Sequence, residues 1–197
     1  MYAVIYYKIL SGILDFKLKS AKILAKFFSK IKMNQNLIKN EIINCNLCPL
    51  SKIRSTSIEP VFHCVDVLFV SEFFDESFEP LCDFSWAYTS IFKCIPKQNA
   101  LAQFLKNADL ATSLGFCAEY LKSEISISQP KVVVALGQSV FELFVSPLEY
   151  AYSSIVGDFY RCGEFFIMPA HESAHLAKNP SLKEKMRENL DKIKGMI

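Results

Sequence analysis

Two cysteines separated by two residues, Cys45 and Cys48 in the stretch CNLCPL, are the clearest candidates for chemistry in this sequence. Such a pair occurs in thiol redox centres, in zinc sites and in iron–sulfur sites. A catalytic redox pair usually follows the first strand of its fold and opens a helix, but this pair precedes the first predicted strand and is followed by Pro49. Two further cysteines could complete a four-thiolate site for zinc or for a 4Fe–4S cluster, and spacing alone does not choose between the two.

The composition is that of a globular protein. Of the 197 residues, 51% are hydrophobic and 21% are charged, which excludes a disordered chain and allows one domain with a substantial core. The seven cysteines are an odd number in a chain too large to need disulfide staples, and no secretory signal is evident. We therefore expect reduced thiols in a cytoplasmic protein, which we take to be a monomer.

Charge is distributed unevenly along the chain. Seven lysines and one aspartate give residues 1–33 a charge of +6, so the other 164 residues sum to −4 within the total of +2. A mildly acidic body offers few contacts for phosphate groups. If the chain binds DNA, we expect that binding to be weak and sensitive to salt.

Residues 1–33 are predicted to form a separate, basic amphipathic helix. Apolar residues recur there at helical spacing apart from one gap, and lysines occupy much of the rest. We favour a helix that packs on the surface of the domain that follows, over residues 34–197. The alternatives are a helix on an anionic membrane surface or along DNA. Met33 could also be a start site, in which case the preceding segment is dispensable.

The rest of the sequence alternates between predicted strands and helices. The predicted strands are apolar runs rich in β-branched or aromatic residues: Val65–Val70, Trp86–Phe92, Lys131–Gly137 and residues 163–170. Helices are predicted between the second and third strands, after the third strand, and after Asn179 at the end of the chain. This order predicts one α/β domain with a mainly parallel central sheet covered by helices on both faces, a three-layer αβα arrangement.

In such sheets, ligands bind beyond the carboxyl ends of the strands. This rule selects four loops: Ser71–Ser77, Ser90–Pro96, Gly137–Ser139 and Ala170–His175. Several polar residues fall within them: Glu72, Asp75, Ser90, Lys93 and His171. The sequence therefore predicts that the polar chemistry gathers at one edge of the sheet.

Several segments together resemble the family 4 (iron–sulfur) uracil-DNA glycosylases. NEIINCNLCPLSKIR resembles that family's opening helix and CxxCxLxxxR motif, and FKCIP resembles its KCRPP segment. Cys117 lies in a helix before QPKV, in the place of the family's fourth cysteine ligand. PKVVVALGQSVFELF is similar to its PK-hydrophobic-LG strand and helix, and MPAHESAHLAKNP to its histidine loop. The resemblance runs from about Met33 to the last helix.

The resemblance implies hydrolysis of the N-glycosidic bond of uracil in DNA, in base-excision repair. Catalytic roles fall on Glu72 and His171. Substrate contacts fall on Ser71, Phe73, Phe78 and Ser90, and DNA contacts on Lys93, Lys97, Gly137 and Ser173. The implied metal ligands are Cys45, Cys48, Cys94 and Cys117, which would hold a structural 4Fe–4S cluster; zinc is the weaker alternative.

The pocket motifs depart from the family pattern. SEFFD replaces a GEAPG-like loop, Ser90 replaces the asparagine that reads the uracil edge, and Glu172 replaces a proline. A serine hydroxyl is shorter than an amide and offers no planar pair of donor and acceptor. Two alternatives therefore remain: an inactive glycosylase fold that keeps its cluster for structure or binding, and a redox or regulatory iron–sulfur protein tethered to a membrane by residues 1–33.

Overall fold

The computed structural model of this chain describes residues 35–80, 82–97, 100–107, 110–145 and 151–197. The helix expected over residues 1–33 lies outside these ranges. In chain order the elements are α1 (Gln35–Ile43), α2 (Leu50–Ile53), β1 (Arg54–Ser57), β2 (Val67–Ser71), β3 (Trp86–Ser90), β4 (Cys94–Pro96), α3 (Ala100–Asn107), α4 (Leu110–Ser128), β5 (Val132–Leu136), α5 (Gln138–Phe141), α6 (Tyr152–Ile155), β6 (Tyr160–Cys162), β7 (Phe165–Ala170), α7 (Ser173–Lys178) and α8 (Pro180–Lys194). Within this described part, no helix has the length and apolar character needed to cross a membrane.

A five-stranded sheet in the order β3-β2-β5-β7-β6 forms the centre of the fold. The first four strands in that order are parallel, and β6 joins the edge antiparallel to β7. Every residue of β2 and of β5 is buried, as the runs VLFVS and VVVAL predict for strands that are covered on both faces. The mainly parallel sheet expected from the order of elements is confirmed.

Helices pack on both faces of this sheet. Successive residues of a strand point to opposite faces, so each buried strand contributes apolar side chains to both helix layers. On one face, Val70 of β2 belongs to the same apolar cluster as Leu121 of α4. On the other face, Phe69 shares a cluster with Leu190 of α8. The predicted three-layer αβα arrangement is therefore confirmed.

Some elements differ from the sequence-based prediction. β1 and β4 form a separate antiparallel pair that was not predicted, because neither strand has a hydrophobic alternation long enough to reveal it. The helix expected over QSVFELFV is helical at Gln138–Phe141, and the histidine loop continues into the short helix α7. The last helix begins at Pro180, directly after Asn179, as predicted.

Candidate active site

The carboxyl edge of the sheet aligns three of the predicted site residues. The parallel register pairs the last residue of β2 with that of β5, and that of β5 with that of β7. The residues that follow these strands are Glu72, Gly137 and His171, so they lie side by side along the edge. Neighbouring strands are about 4.8 Å apart, which separates the main chains at Glu72 and His171 by about 10 Å.

A cleft of about 460 Å³ opens at the ends of β5 and β7. It is lined by Gly137, Gln138, Tyr152, His171, Glu172, Ala174, His175 and Lys178. Tyr152 was not expected at the site, since it lies in no recognisable motif. Its hydroxyl donates a hydrogen bond of 2.7 Å to the carbonyl of Ala170, the residue before His171, and burial raises the pKa of that hydroxyl.

The imidazole of His171 lines this cleft and is partly exposed. Burial lowers the pKa of His171, and the nearby charges of His175 and Lys185 lower it further. The two histidine rings meet edge to face, with their centroids 5.4 Å apart. His171 is therefore neutral at pH 7, and a neutral imidazole has one N–H that can donate a hydrogen bond to a substrate oxygen.

The carboxylate of Glu72 is held by a residue on a neighbouring element. The hydroxyl of Ser139, in α5, donates a hydrogen bond of 2.7 Å to Oε2 of Glu72. Both side chains are half-buried. The sequence places Ser139 in a loop at this edge but does not reveal this contact, which fixes one oxygen of the Glu72 carboxylate.

Gly137 lies on the floor between these groups. Its φ of 112° is one that side-chain-bearing residues rarely adopt, and a Cβ at this position would lie 2.9 Å from Cγ of Glu172. Its N–H donates to the carbonyl of Ala170 at 2.9 Å, which ties the ends of β5 and β7 together. Glycine is therefore needed for the close packing of the Glu172 side chain on this part of the cleft.

The serines expected to contact a base are turned into the protein. Ser71 is 5% exposed, and its hydroxyl donates to the carbonyl of Phe73 at 2.6 Å while contacting the Tyr88 hydroxyl at 2.8 Å. Ser90 is fully buried and donates to the carbonyl of Phe92 at 2.7 Å. Neither hydroxyl is free for a base in this arrangement, and the substrate contacts expected of both residues stay predictions.

Aromatic side chains occupy the space beside these serines. Phe73 stacks on Phe92 with a centroid distance of 4.8 Å, and Phe74 stacks on Tyr88 at 4.9 Å. Phe78, expected to contact the substrate, packs against Tyr88 at 4.7 Å and joins the apolar cluster under α8. The loop after β2 is thus filled by its own side chains, and neither Phe73 nor Phe78 lines the cleft at β5 and β7.

Lys93, for which the family resemblance implies a DNA contact, is buried inside the protein. It is 2% exposed, and its ammonium lies 2.9 Å from both carboxylate oxygens of Glu124 in α4. It also donates to the Thr89 hydroxyl at 2.8 Å and to the Ser90 carbonyl at 2.6 Å. All three donors of the ammonium are therefore used inside the protein.

The other residues expected to contact DNA are accessible to differing degrees. Lys97 is exposed just after β4, and Ser173 is half-buried at the start of α7. The Ser173 hydroxyl donates a hydrogen bond to the carboxylate of Asp75. Burial favours a higher pKa for Asp75, but the hydrogen bonds from Ser77 and Ser173 outweigh the effect of burial, so the pKa is lowered. This contact connects the loop after β2 to the loop that carries His171.

The four cysteines expected to act together are neighbours in space. Cys45 and Cys48 lie between α1 and α2, Cys94 is in β4 and Cys117 is in α4. Burial, reinforced by charge at Cys48 and Cys94, raises the pKa of Cys117 to about 11. Burial likewise raises the pKa of Cys94. Arg54, whose Nη1 lies 4.0 Å from Sγ of Cys94, acts to lower this pKa, whereas charge at Cys48 and Cys45 acts to raise it.

These thiols suit a soft metal centre in number and kind, since 4Fe–4S clusters and zinc are both held by four thiolates. Their side chains are nevertheless not arranged as a coordination sphere. Among the described residues, no group of three or more histidine, cysteine, aspartate or glutamate side chains has the geometry to hold a metal ion. The four thiols therefore fit such a group in number and chemistry, but not in the arrangement of their side chains.

Comparison with known protein families identifies the family to which this arrangement of strands and loops belongs. The family model described as the uracil DNA glycosylase superfamily matches residues 16–194. The match begins inside the segment that was expected to be a separate helix, so the boundary at residue 33 stays a prediction. No curated protein sequence matches the chain. Because the matched region covers most of the chain, including the whole sheet and the loops at its carboxyl edge, the protein belongs to the uracil-DNA glycosylase superfamily.

Proposed function

We propose that this chain is an iron–sulfur uracil-DNA glycosylase that hydrolyses the N-glycosidic bond of uracil in DNA. The observation that carries this proposal is the position of His171, a neutral histidine beside an open cleft at the carboxyl edge of the sheet in a chain of this superfamily. Members of the superfamily act on DNA, so DNA is the partner that the family supports.

In the proposed reaction, the bond between N1 of uracil and C1′ of deoxyribose breaks, and uracil leaves with the electron pair. The N–H of His171 donates to a uracil carbonyl oxygen and stabilises the negative charge as it develops. Glu72 orients the attacking water or stabilises the positive charge on the sugar, with Ser139 holding its carboxylate in place. The water oxygen bonds to C1′, and the released proton passes to uracil or solvent.

The proposed 4Fe–4S cluster is bound by Cys45, Cys48, Cys94 and Cys117. These residues belong to the loop between α1 and α2, to β4 and to α4, so one cluster would join three separate elements. Its role would be structural, with no part in cleaving the base. Zinc is the alternative occupant.

Metal analysis of anaerobically purified full-length protein tests this assignment. We expect a brown protein with about four irons per chain, and loss of iron in Cys48→Ser. Cys64→Ser is the matched control, because Cys64 is exposed and outside the proposed ligand set. A colourless protein that contains zinc would replace the cluster in the proposal.

DNA binding is proposed to be modest. Because Lys93 is buried, the remaining candidates for contacts with the DNA backbone are Lys97, Gly137 and Ser173. Only Lys97 among these three residues carries a positive charge. The affinity should fall steeply with salt if residues 1–33, with their seven lysines, add to it. We also propose that residues 1–33 contact either the domain or an anionic membrane surface. The protein is further proposed to be monomeric and cytoplasmic.

A catalytically inactive glycosylase fold is the second candidate function. It is favoured by the buried hydroxyls of Ser71 and Ser90 and by the stacking of Phe73 on Phe92, which together leave the loop after β2 closed. Such a protein would bind DNA or another partner without releasing a base.

A glycosylase assay on a single-stranded oligonucleotide with one uracil separates the two candidates. We expect cleavage by the wild type and a loss of about 10²- to 10³-fold in His171→Ala, the size typical of removing one charge-stabilising donor. His63→Ala is the matched control, because His63 is exposed and precedes β2, at the opposite end of that strand from the carboxyl edge. Glu72→Gln should also lose activity, whereas Glu76→Gln, in the same loop but exposed, should not. An iron-loaded wild type that leaves uracil in place would support the inactive fold.

A further inference from the structure

We infer that α4 supplies the proposed four-thiolate centre with two hydroxyl donors besides the ligand Cys117: Ser113, one helical turn before it, and Tyr120, one turn after it. The inference rests on the metal centre of the proposed function and goes beyond its four ligands. Ser113 and Tyr120 are positioning residues, because each donates a hydrogen bond to a sulfur atom of the centre and neither binds the metal.

The buried side of α4 carries a polar row next to an apolar one. Residues three or four apart lie on the same face of a helix. The polar row consists of Ser113, Cys117, Tyr120 and Glu124. The apolar row beside it, which includes Leu114 and Leu121, joins the apolar cluster on this face of the sheet. The polar row therefore borders the core and is free to meet polar groups of other elements.

Two contacts show that the polar row faces the other cysteines. The hydroxyl of Tyr120 donates a hydrogen bond to the sulfur of Cys45. The backbone N–H of Lys93, the residue before Cys94, donates to the sulfur of Cys117. The loop between α1 and α2 and the start of β4 thus approach α4 along this row, so donors on the row lie at the centre.

The hydroxyl of Ser113 differs from those of two other serines on the same helix. Ser123 and Ser128 donate to the carbonyl groups four residues before them, at 3.0 and 2.7 Å. Ser113 is fully buried, and its hydroxyl has no hydrogen-bond partner in the part of the chain that the structure describes. A buried hydroxyl without a partner is costly, so such a group indicates a ligand that accepts its hydrogen bond.

The position of Ser113 identifies sulfur as that acceptor. Ser113 precedes Cys117 by four residues, which separates their Cβ atoms by about 5–6 Å on the same helix face. Cys117 is itself buried, so the space between the two side chains is closed to solvent. A sulfur atom of the centre is then within reach of the Ser113 hydroxyl.

The charge of the centre explains why it needs donors. Four thiolates carry more negative charge than either Zn²⁺ or the cluster core can balance, and a buried negative charge requires hydrogen bonds or cations. Nη1 of Arg54 lies 4.0 Å from Sγ of Cys94, so one cation already faces this charge. With Tyr120 at Cys45, the donors come from several elements, as is usual around metal ligands. Ser113 completes this set from inside α4.

Release of metal to a chelator tests both residues without an assay of base release. Full-length, anaerobically purified protein is mixed with a chromogenic chelator for ferrous iron, or for zinc if zinc is the metal found, and release is followed by absorbance. Ser113→Ala and Tyr120→Phe should each lose metal about 10-fold faster than the wild type or more, since loss of one such partner typically costs about 10–100-fold in metal affinity.

Ser128→Ala and Tyr88→Phe are the matched controls, because each also removes one hydroxyl. Ser128 is as buried as Ser113 and belongs to the same helix, but it lies about 16 Å along the helix axis from Cys117. Tyr88 is half-buried like Tyr120, but it packs on the opposite face of the sheet from α4. Both controls should release metal at the rate of the wild type, which separates hydrogen bonds to sulfur from a general loss of stability.

The reduction potential of the iron-loaded protein gives a second measurement. Reduction adds negative charge to the sulfur atoms, so hydrogen bonds to them stabilise the reduced state. Each variant should therefore have a lower potential than the wild type, by about 59 mV for a tenfold loss in the equilibrium constant of a one-electron reduction. Unchanged metal release in Ser113→Ala or Tyr120→Phe would overturn the inference for that residue, as would equal acceleration in its control.

These outcomes are separate from those that decide the proposed function. Faster metal loss from both variants of a protein that releases no uracil would support the inference and favour the inactive fold. Uracil release by a metal-loaded protein whose variants keep their metal as the wild type does would support the enzyme and reject the inference. A full-length protein that contains neither iron nor zinc would reject the inference together with the metal centre.

Discussion

The two halves of the sheet's carboxyl edge differ, although both consist of the ends of adjacent parallel strands. At the β2–β3 half, Ser71 and Ser90 hydrogen bond inside the protein, and the aromatic residues of the following loop stack on one another. At the β5–β7 half, polar side chains line an open cleft around Gly137. The first half is built as a core, and the second as a surface that can receive a ligand.

The difference follows from the residues that come directly after each strand. SEFFDES after β2 contains two adjacent phenylalanines, whose burial closes the loop. A glycine follows β5, and the place of its missing side chain is taken by the exposed residue Glu172, so no aromatic ring closes this half. The topology therefore determines where polar residues gather, while residue size determines which half of that edge remains open.

The largest effect is expected where the closed half is held by a buried ion pair. Lys93→Ala should lower the free energy of unfolding by about 3–5 kcal/mol, because it leaves the carboxylate of Glu124 buried without a cation. Urea denaturation followed by far-UV circular dichroism measures this change.

Two variants show whether the loss comes from the pair. Lys97→Ala removes an exposed lysine four residues further along and should change the unfolding free energy by less than about 0.5 kcal/mol. Lys93→Met combined with Glu124→Met removes both charges and should recover much of the lost stability. A Lys93→Ala protein as stable as the wild type would show that the closed half does not depend on this pair.

The open half should respond to a change in one glycine. Gly137→Ala forces a side chain into a backbone conformation that glycine alone adopts readily, and into Glu172, so it should lower the unfolding free energy by about 1–3 kcal/mol. It should also weaken DNA binding, because the methyl group would displace the side chain of Glu172, which lines the cleft.

Gly163 provides the control for this prediction. Its φ of 67° is also positive, but a Cβ there meets nothing within 4 Å among the described residues. Gly163→Ala should therefore lower the unfolding free energy by only about 1 kcal/mol and leave DNA affinity unchanged. Equal losses of affinity in the two variants would argue that the cleft is not the site of binding.

Much of the fold could be predicted because burial on both faces leaves a continuous apolar run. Val132–Leu136 is such a run, and it is buried throughout. The antiparallel pair of β1 and β4 could not be predicted, because both strands are short and contain polar as well as apolar residues. The burial of Lys93 in an ion pair could not be predicted for another reason. Its partner Glu124 is 31 residues away, and no local sequence pattern indicates a contact over that distance.

The candidate site was predictable to the level of its loops. His171 lies where the rule for parallel sheets and the family resemblance both predict, at the end of a strand and beside a cleft. Tyr152 was missed, since its place in the cleft depends on how the chain returns after β5. The inward hydrogen bonds of Ser71 and Ser90 could not be predicted, because a serine hydroxyl can turn toward its own backbone and sequence does not show which way it turns.

A smaller effect is expected from the hydrogen bonds that close the β2–β3 half. Tyr88→Phe removes the hydroxyl that contacts Ser71 at 2.8 Å and accepts from the N–H of Asp75 at 2.9 Å, while the stacking on Phe74 is kept. The unfolding free energy should fall by about 1 kcal/mol, the usual size for such bonds. DNA affinity should not change; a loss of tenfold or more in a folded protein would bring the closed half into the binding site.

The smallest effect concerns the charge state of His171. Its pKa is lowered first by burial and then by the charges of His175 and Lys185. His175→Ala should therefore raise the pKa of His171 toward, but not beyond, the ordinary value of about 6.5, because the effect of burial remains. Nitrogen-detected NMR titration of the histidines measures the shift, and Lys185→Gln should give a smaller shift in the same direction.

The sign of the linked stability change follows from the same pKa. When the folded-state pKa of a histidine is lowered, the unfolded chain binds more protons just below pH 6.5, so His171 makes the fold less stable as the pH falls through that range. His175→Ala should reduce this acid sensitivity, since it brings the two pKa values closer. An unchanged titration of His171 in that variant would mean that the ring contact at 5.4 Å carries no charge coupling, and that burial alone keeps the histidine of the open half neutral.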